Sequence, residues 1–158
     1  MLLHSKSASE TIRIGKYIGG LLLPGDVVAL SGELGTGKTQ FIKGLAAGLG
    51  IRKSAKIMSP SFTLIHEYVG KVRFYHIDLY RLESEKEAEE LGLEEYFQAG
   101  GITAIEWADR IPSLLPQEVF WISIRYTGEH TRSFEMIGKG KRYVELLKNA
   151  EFGVRSIL

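Results

Sequence analysis

Apolar residues recur along the chain with two periods, one typical of helices and one typical of buried strands. Across residues 8–22 they return every three or four positions, behind a capping-box spacing that begins at Ser7, which predicts an amphipathic helix. The uninterrupted apolar run at 27–31 predicts a central strand covered on both faces. Helical spacing resumes over 38–49, and Gly50 suits the end of that helix.

The rest of the chain alternates short runs rich in β-forming residues with two further helical segments. We predict strands at 62–68, 72–78, 102–106, 119–126 and 132–137, with turns at 69–71 and 128–129, and helices at 84–97 and about 141–150. The pattern predicts one α/β domain spanning residues 1–158, with mixed parallel and antiparallel strands and a frayed C-terminal end.

Composition narrows the classes of function. Lys and Arg total 20 against 19 for Asp and Glu, so the net charge of +1 argues against gripping nucleic acid through a strong positive field. The absence of cysteine excludes disulfides, thiolate nucleophiles, zinc–cysteine sites and iron–sulfur clusters. No secretory pattern is visible, and no apolar run is long enough to span a bilayer. We therefore predict a cytoplasmic protein that does not engage the membrane.

Residues 32–39 read Gly-Glu-Leu-Gly-Thr-Gly-Lys-Thr, a full match to the phosphate-binding pattern G-x-x-x-x-G-K-[ST]. A predicted strand precedes it and a predicted helix follows, which disfavours a chance glycine turn. Such a loop curls so that backbone N–H groups point at phosphate oxygens. Lys38 would reach the β- and γ-phosphates, and the Thr39 hydroxyl would ligate Mg²⁺. The predicted nucleotide-binding residues are Glu33, Leu34, Gly35, Thr36, Gly37, Lys38, Thr39, Gln40 and Trp107. This motif predicts a P-loop, three-layer α/β sandwich.

A P-loop also needs an acid to hold the metal and a group to orient the attacking water. Asp78 and Glu106 each end a predicted strand, where ligands of open parallel sheets bind. Asp26 lies at the wrong end of its strand. We predict Lys38, Glu106 and Asp78 as catalytic residues, although each acid is also compatible with a helix cap or a surface carboxylate.

Hydroxyl residues between the P-loop helix and the next strand form a candidate switch segment. Ser59, Ser61 and Thr63 could sense the γ-phosphate or the metal, as ordered switch segments do. A plain turn that enters a strand explains the same residue types nearly as well.

Four other features leave two interpretations open. Arg81 could neutralise phosphate charge or be an ordinary exposed arginine, and Trp107 could stack on the nucleotide or cap the core. His76, within a strand, fits a hydrogen-bonded structural histidine better than a base. The basic stretch 52–56 fits a solvated loop better than an RNA contact.

The set of motifs resembles the TsaE (YjeE) family, the ATPases of bacterial tRNA threonylcarbamoyladenosine biosynthesis. The matching segments are residues 32–39, 59–64, 75–82, 91–93 with 96–97, and 105–107. The P-loop alone is shared by many families, whereas the Asp-Leu-Tyr-Arg run at 78–81 with the later Glu-Trp is far more specific.

The resemblance implies a protein that binds ATP and Mg²⁺, hydrolyses ATP slowly alone and acts with the proteins TsaB and TsaD, reaching tRNA through that complex. By the same resemblance Thr39, Glu106 and Asp78 belong to the metal site, and Trp107 lies beside the nucleotide. Ser61 stands where threonine is common in the family, which keeps a hydroxyl.

Two rival functions share the P-loop. A nucleotide or nucleoside kinase needs an acceptor pocket and usually an arginine-bearing lid, but residues 81–95 are dominated by glutamate. A GTPase switch usually reads guanine with an Asn-Lys-x-Asp element, yet the sole asparagine is Asn149, with no aspartate after it.

Overall fold

A computed structural model describes residues 1–52 and 55–157, with side chains through residue 154. Its strands are β1 (Leu2–Ser5), β2 (Val27–Ser31), β3 (Ile65–Val69), β4 (Arg73–Asp78), β5 (Ile102–Glu106), β6 (Val119–Tyr126) and β7 (Arg132–Lys139). Its α-helices are α1 (Ala8–Gly19), α2 (Lys38–Gly48), α3 (Glu85–Glu89), α4 (Leu93–Gln98) and α5 (Lys141–Ile157).

All the strands join one seven-stranded sheet in the order β1-β7-β6-β2-β5-β4-β3. The four central strands are parallel, because β2 pairs in parallel with β5 and β6, and β5 with β4. The outer strands β1, β7 and β3 run antiparallel to their neighbours. The predicted mixed sheet is confirmed.

Alternation along β2 shows how the sheet is covered on both faces. Val28 and Leu30 point to one face, where they pack with Ile14 of α1 and Phe41 of α2. Val27 and Ala29 point to the opposite face, in the cluster that includes residues of α3 and α4. Helices on both faces explain why this strand reads as an unbroken apolar run.

The structure corrects three of the predicted boundaries in the first hundred residues. The helix predicted at 8–22 ends at Gly19, and the strand predicted from 62 begins at Ile65, because Leu64 adopts a left-handed φ of 65° within a turn. The helix predicted at 84–97 is two short helices, since Gly92 interrupts it with a φ of 63°.

The two ends of the chain depart further from prediction. Strand β1 was not predicted, because a strand of four residues is too short to show a clear period. It lies at the edge of the sheet, paired with β7. Strand β7 runs to Lys139 and helix α5 runs to Ile157, beyond the predicted ends at 137 and about 150.

Candidate functional site

The loop between β2 and α2 follows the curled path that its glycines permit. Gly32, Gly35 and Gly37 have φ values of 142°, 79° and 103°, a region that side chains disfavour. A Cβ on Gly32 would also lie 2.3 Å from the carbonyl oxygen of Ile124 on β6. The loop therefore needs glycine both for its backbone angles and for its contact with the sheet.

Lys38, the first residue of α2, holds its ammonium group inside this loop. The Nζ atom donates to the carbonyl oxygens of Gly32 and Glu33, at 2.7 and 2.9 Å, and lies 4.0 Å from the Trp107 ring centroid. Burial lowers the pKa of Lys38, and the carboxylates of Glu106, Asp78 and Asp109 oppose that shift. A buried cation on two neutral acceptors is suited to exchange them for an anion.

Two buried carboxylates meet beside this ammonium. Asp78 and Glu106 are register partners at the ends of β4 and β5, and Glu106 also pairs with Leu30 of β2. The Thr39 hydroxyl donates to the two carboxylate oxygens of Glu106, at 2.9 and 3.1 Å. Parallel strands thus bring together groups that are far apart in sequence.

Asp78 has a separate set of donors. The Ser59 hydroxyl donates to one carboxylate oxygen, and the backbone N–H of Tyr80 donates to the other at 2.9 Å. The first hydroxyl of the predicted switch segment is therefore attached to a predicted metal-site acid.

These groups line one cavity of about 410 Å³. Its lining consists of Leu34, Gly35, Gly37, Lys38, Thr39, Gln40, Ser59, Ser61, Asp78, Tyr80, Glu106 and Trp107. Of the other predicted residues, Glu33 faces Lys38 through its carbonyl, Thr36 lies on the far side of the loop, and Thr63 is exposed outside the lining.

A second cavity, of about 310 Å³, lies on the far side of the loop and shares Gly35, Gly37 and Gln40 with the first. Lys6, Ser7, Ala8 and Thr11 from the start of the chain, Thr36, and His130 and Arg132 from the β6–β7 hairpin complete it. No sequence pattern links these segments, because it is the pairing of β1 with β7 that brings them to the loop.

The β6–β7 hairpin also supports the loop from outside. The Tyr126 hydroxyl donates to the Leu34 carbonyl at 3.3 Å, and Arg132 Nε donates to the Thr36 carbonyl at 3.1 Å. The Arg132 guanidinium lies 4.3 Å from the Tyr126 ring centroid, so the two side chains brace each other.

The donor set around Thr39 suits Mg²⁺. The threonine hydroxyl and the two carboxylates are hard oxygen ligands, which Mg²⁺ prefers. Among residues 1–52 and 55–157, no three His, Cys, Asp or Glu side chains cluster as a metal cage. Since Mg²⁺ usually takes one or two carboxylates and completes its shell with phosphate and water, the residues fit a metal that arrives with a nucleotide.

Trp107 lies between the cavity and the apolar cluster below it. Its ring lies over Lys38 and 5.2 Å from the Tyr80 ring centroid, and it also packs on the apolar cluster below. Its φ of 61° is unusual for a bulky residue and turns the chain directly after Glu106.

The other side chains singled out in the sequence lie outside the lining of the 410 Å³ cavity. Arg81 stacks on the exposed Phe62 ring, 4.0 Å from its centroid. His76 is buried beneath Glu106 and hydrogen-bonds to it at 2.8 Å. In the basic stretch 52–56, residues 53 and 54 lie outside the described residues. Asp26 serves the structure, because it pairs with Arg142 at 2.7 Å.

A curled glycine loop between a parallel strand and a helix, with a buried lysine and two strand-end acids, defines an α/β protein of the P-loop nucleotide-binding class. Residues 5–134 match the family model of TsaE, described as the threonylcarbamoyl adenosine biosynthesis protein. The chain belongs to the TsaE family, and the resemblance inferred from its motifs is confirmed.

Similar proteins support this assignment over most of the chain. A tRNA threonylcarbamoyladenosine biosynthesis protein TsaE from Bacillus subtilis is 45% identical over 85% of this chain and 83% of its own length. The protein of that name from Treponema pallidum is 44% identical over 81% and 93%. The crystal structure of Bacillus subtilis YdiB superposes with a TM-score of 0.83 at 38% identity, covering 96% of this chain and 93% of that one.

Of the helices in the described part of the chain, none combines the length and the apolar character needed to cross a membrane.

Proposed function

We propose that this protein binds ATP with Mg²⁺ and hydrolyses it, and that the ATPase serves tRNA threonylcarbamoyladenosine biosynthesis together with TsaB and TsaD. Family membership and the names of the relatives support the pathway. One observation supports the chemistry: the buried Lys38 ammonium shares a cavity with the Thr39 hydroxyl and the Glu106 carboxylate, which are 2.9 Å apart. Because tRNA is the pathway's substrate, we propose that the protein acts in the cytoplasm.

Lys38 and the loop backbone bind the phosphates. The Lys38 ammonium leaves the carbonyls of Gly32 and Glu33 for β- and γ-phosphate oxygens, and loop N–H groups donate to the same oxygens. The start of α2 adds the positive end of its dipole. These charges act in a largely buried site, where they are screened less than in water.

The remaining roles, holding the metal and orienting the attacking water, fall to Thr39, Glu106 and Asp78. Bound Mg²⁺ would neutralise charge on the β- and γ-phosphates. The Thr39 hydroxyl and one carboxylate would hold the metal, while the other carboxylate would accept a hydrogen bond from the attacking water and orient it toward the γ-phosphate. Trp107 covers Lys38 and limits the entry of other water.

The second cavity takes the nucleoside in this proposal. It adjoins the phosphate cavity through Gly35, Gly37 and Gln40, so one molecule can extend from one cavity to the other around the loop. Its lining includes the polar side chains of Ser7, Gln40 and Arg132, which suit the polar edges of a base and ribose.

The first test compares Lys38→Ala with Lys43→Ala, the same change five residues along α2 and outside both cavity linings. Lys38→Ala is expected to abolish Mg²⁺-dependent ATP hydrolysis and weaken ATP binding, because Lys38 is the one lysine among the described residues that line the 410 Å³ cavity. Lys43→Ala is expected to retain both. Equal activity of the two variants, measured by phosphate release with TsaB and TsaD present, would contradict the assignment.

The second test concerns the pathway. ATP hydrolysis is measured with and without purified TsaB and TsaD, and modified adenosine in tRNA is then quantified. Stimulation by the two proteins and ATP-dependent tRNA modification support the proposal. Phosphoryl transfer to nucleosides or nucleoside monophosphates would instead favour a kinase, and preference for GTP over ATP in competition binding would favour a GTPase.

A further inference from the structure

His76 lies directly beneath the candidate metal site. It is on β4, fully buried, in register with Ala104 of β5. Because side chains alternate along strands, His76 and Asp78 share one face of the sheet with Ala104 and Glu106. The His76 Nε2 atom is 2.8 Å from Glu106 Oε1, so the imidazole contacts the acid from its buried side.

The direction of this hydrogen bond follows from its partners. An ionised carboxylate only accepts, so His76 Nε2 carries the hydrogen and donates it to Glu106. The other ring nitrogen, Nδ1, is buried and has no hydrogen-bond partner among the described residues. A buried ring with one unpaired nitrogen costs more than an apolar side chain of the same size. Fold stability therefore does not account for a histidine at this position.

Glu106 is held from two sides. Its Oε1 atom accepts from His76 at 2.8 Å and from Thr39 at 2.9 Å, whereas Oε2 is 3.1 Å from the Thr39 hydroxyl. If the Thr39 hydroxyl turns toward a metal, the His76 bond is the contact that still fixes the carboxylate. Asp78 has other donors, Ser59 and the Tyr80 N–H, so the two acids are anchored independently.

We propose that His76 is a positioning residue: its Nε2–H holds Glu106 Oε1 so that Oε2 faces the metal and phosphate. This rests on the function proposed above and adds a residue outside the cavity lining to its machinery. Donors behind a metal-site ligand orient it, and their removal typically weakens metal affinity or activity about 10- to 100-fold.

The test uses variants that separate the donor from the shape of the ring. Gln places an amide N–H near the position of Nε2, whereas Leu removes the donor and Asn is too short to reach Glu106. His66→Leu is the control, because His66 is the register partner of His76 on β3 and bonds to Tyr68 instead.

The quantity measured is the ratio of affinities for a non-hydrolysable ATP analogue with and without Mg²⁺, by calorimetry. We expect His76→Leu and His76→Asn to lower this ratio about 10- to 100-fold, with little change in affinity without Mg²⁺. His76→Gln and His66→Leu are expected to stay within about threefold of the wild type. If His76→Leu does not fold, the comparison of Asn with Gln decides.

Two results would overturn the inference: an unchanged ratio in the donor-free variants, or a loss in His76→Gln as large as in His76→Asn. A wild-type protein whose analogue affinity does not depend on Mg²⁺ would overturn the proposed ATPase instead. The two failures are therefore distinguishable.

Discussion

The environment of Lys38, at the start of α2, has two opposing effects on its charge. Burial lowers the pKa of Lys38, while Glu106, Asp78 and Asp109 stabilise its charged form. The Thr39 hydroxyl meanwhile lies between the helix that presents the lysine and the strand that presents Glu106. A magnesium–phosphate group would satisfy both sets of charges at once, with Thr39 as the shared contact.

Thr39 can be tested with variants that differ only in the hydroxyl. Thr39→Val keeps the shape but removes the oxygen, and Thr39→Ser keeps the oxygen. We expect Val to weaken Mg²⁺-dependent nucleotide binding by about 1.5–3 kcal/mol, roughly 10- to 150-fold, as for a lost bond to a charged group. Ser is expected to remain close to the wild type. Equal Mg²⁺ dependence of the two variants in calorimetric titrations would remove Thr39 from the metal site.

At the scale of elements, the position of the P-loop helix depends on a close contact between α1 and α2. Each helix carries two glycines four residues apart, Gly15 and Gly19 on α1, and Gly44 and Gly48 on α2. A Cβ on Gly44 would lie 2.3 Å from the Ile12 carbonyl oxygen, and one on Gly15 would lie 2.3 Å from the Phe41 carbonyl oxygen. Backbone therefore packs on backbone, and α1 determines where α2 presents Lys38.

Gly44→Ala tests this contact. The added methyl group must push the helices apart, so we expect a loss of about 1–3 kcal/mol in the free energy of unfolding, as for overpacked cores. Gly20→Ala is the control, because Gly20 has an ordinary φ of −68°. A Cβ added there would lie 3.4 Å from the Tyr17 carbonyl oxygen, an ordinary contact distance. It is expected to change stability by less than about 1 kcal/mol. Urea denaturation that shows equal stability for both variants would contradict a tight helix contact.

At the scale of the whole molecule, helix α5 ties the end of the chain to the start of the central strand. Tyr143 accepts a hydrogen bond from the Val27 N–H at 2.7 Å and stacks on Phe120 of β6. Arg142 pairs with Asp26 and donates to the Leu21 carbonyl at 2.8 Å. These contacts close the fold across 116 residues of sequence, from position 27 to position 143.

This closure predicts sensitivity to alkaline pH. Burial raises the pKa of Tyr143 to about 12, against about 10 in an unfolded chain. Between these values the unfolded state has released the proton and the folded state keeps it, so stability is full below about pH 10 and falls as pH rises through the window.

Tyr143→Phe removes this titration. Near pH 8 the variant is expected to be less stable by about 1–3 kcal/mol, because the Val27 N–H loses its acceptor. Above about pH 10 the difference between the two proteins should shrink. Urea denaturation at a series of pH values measures both effects, and lysine titration cancels in the comparison. A constant difference across the series would show that Tyr143 does not titrate with unfolding.

The sequence alone determined the phosphate loop, the central strand, the capped first helix and the strand-end location of Asp78 and Glu106. Each depends on neighbouring residues: glycines that allow curled backbone, an apolar run, or an acid directly after a strand. The mixed sheet followed from the same patterns.

The contacts that complete the site could not be predicted from the sequence, because they form between segments that meet on folding. The Ser59–Asp78 and His76–Glu106 bonds, the second cavity and the edge strand β1 all depend on strand order and register, which bring together residues far apart in the chain. The stability of strand pairing depends on contacts between such distant partners. The sequence of one short segment therefore does not show which strand will lie beside it.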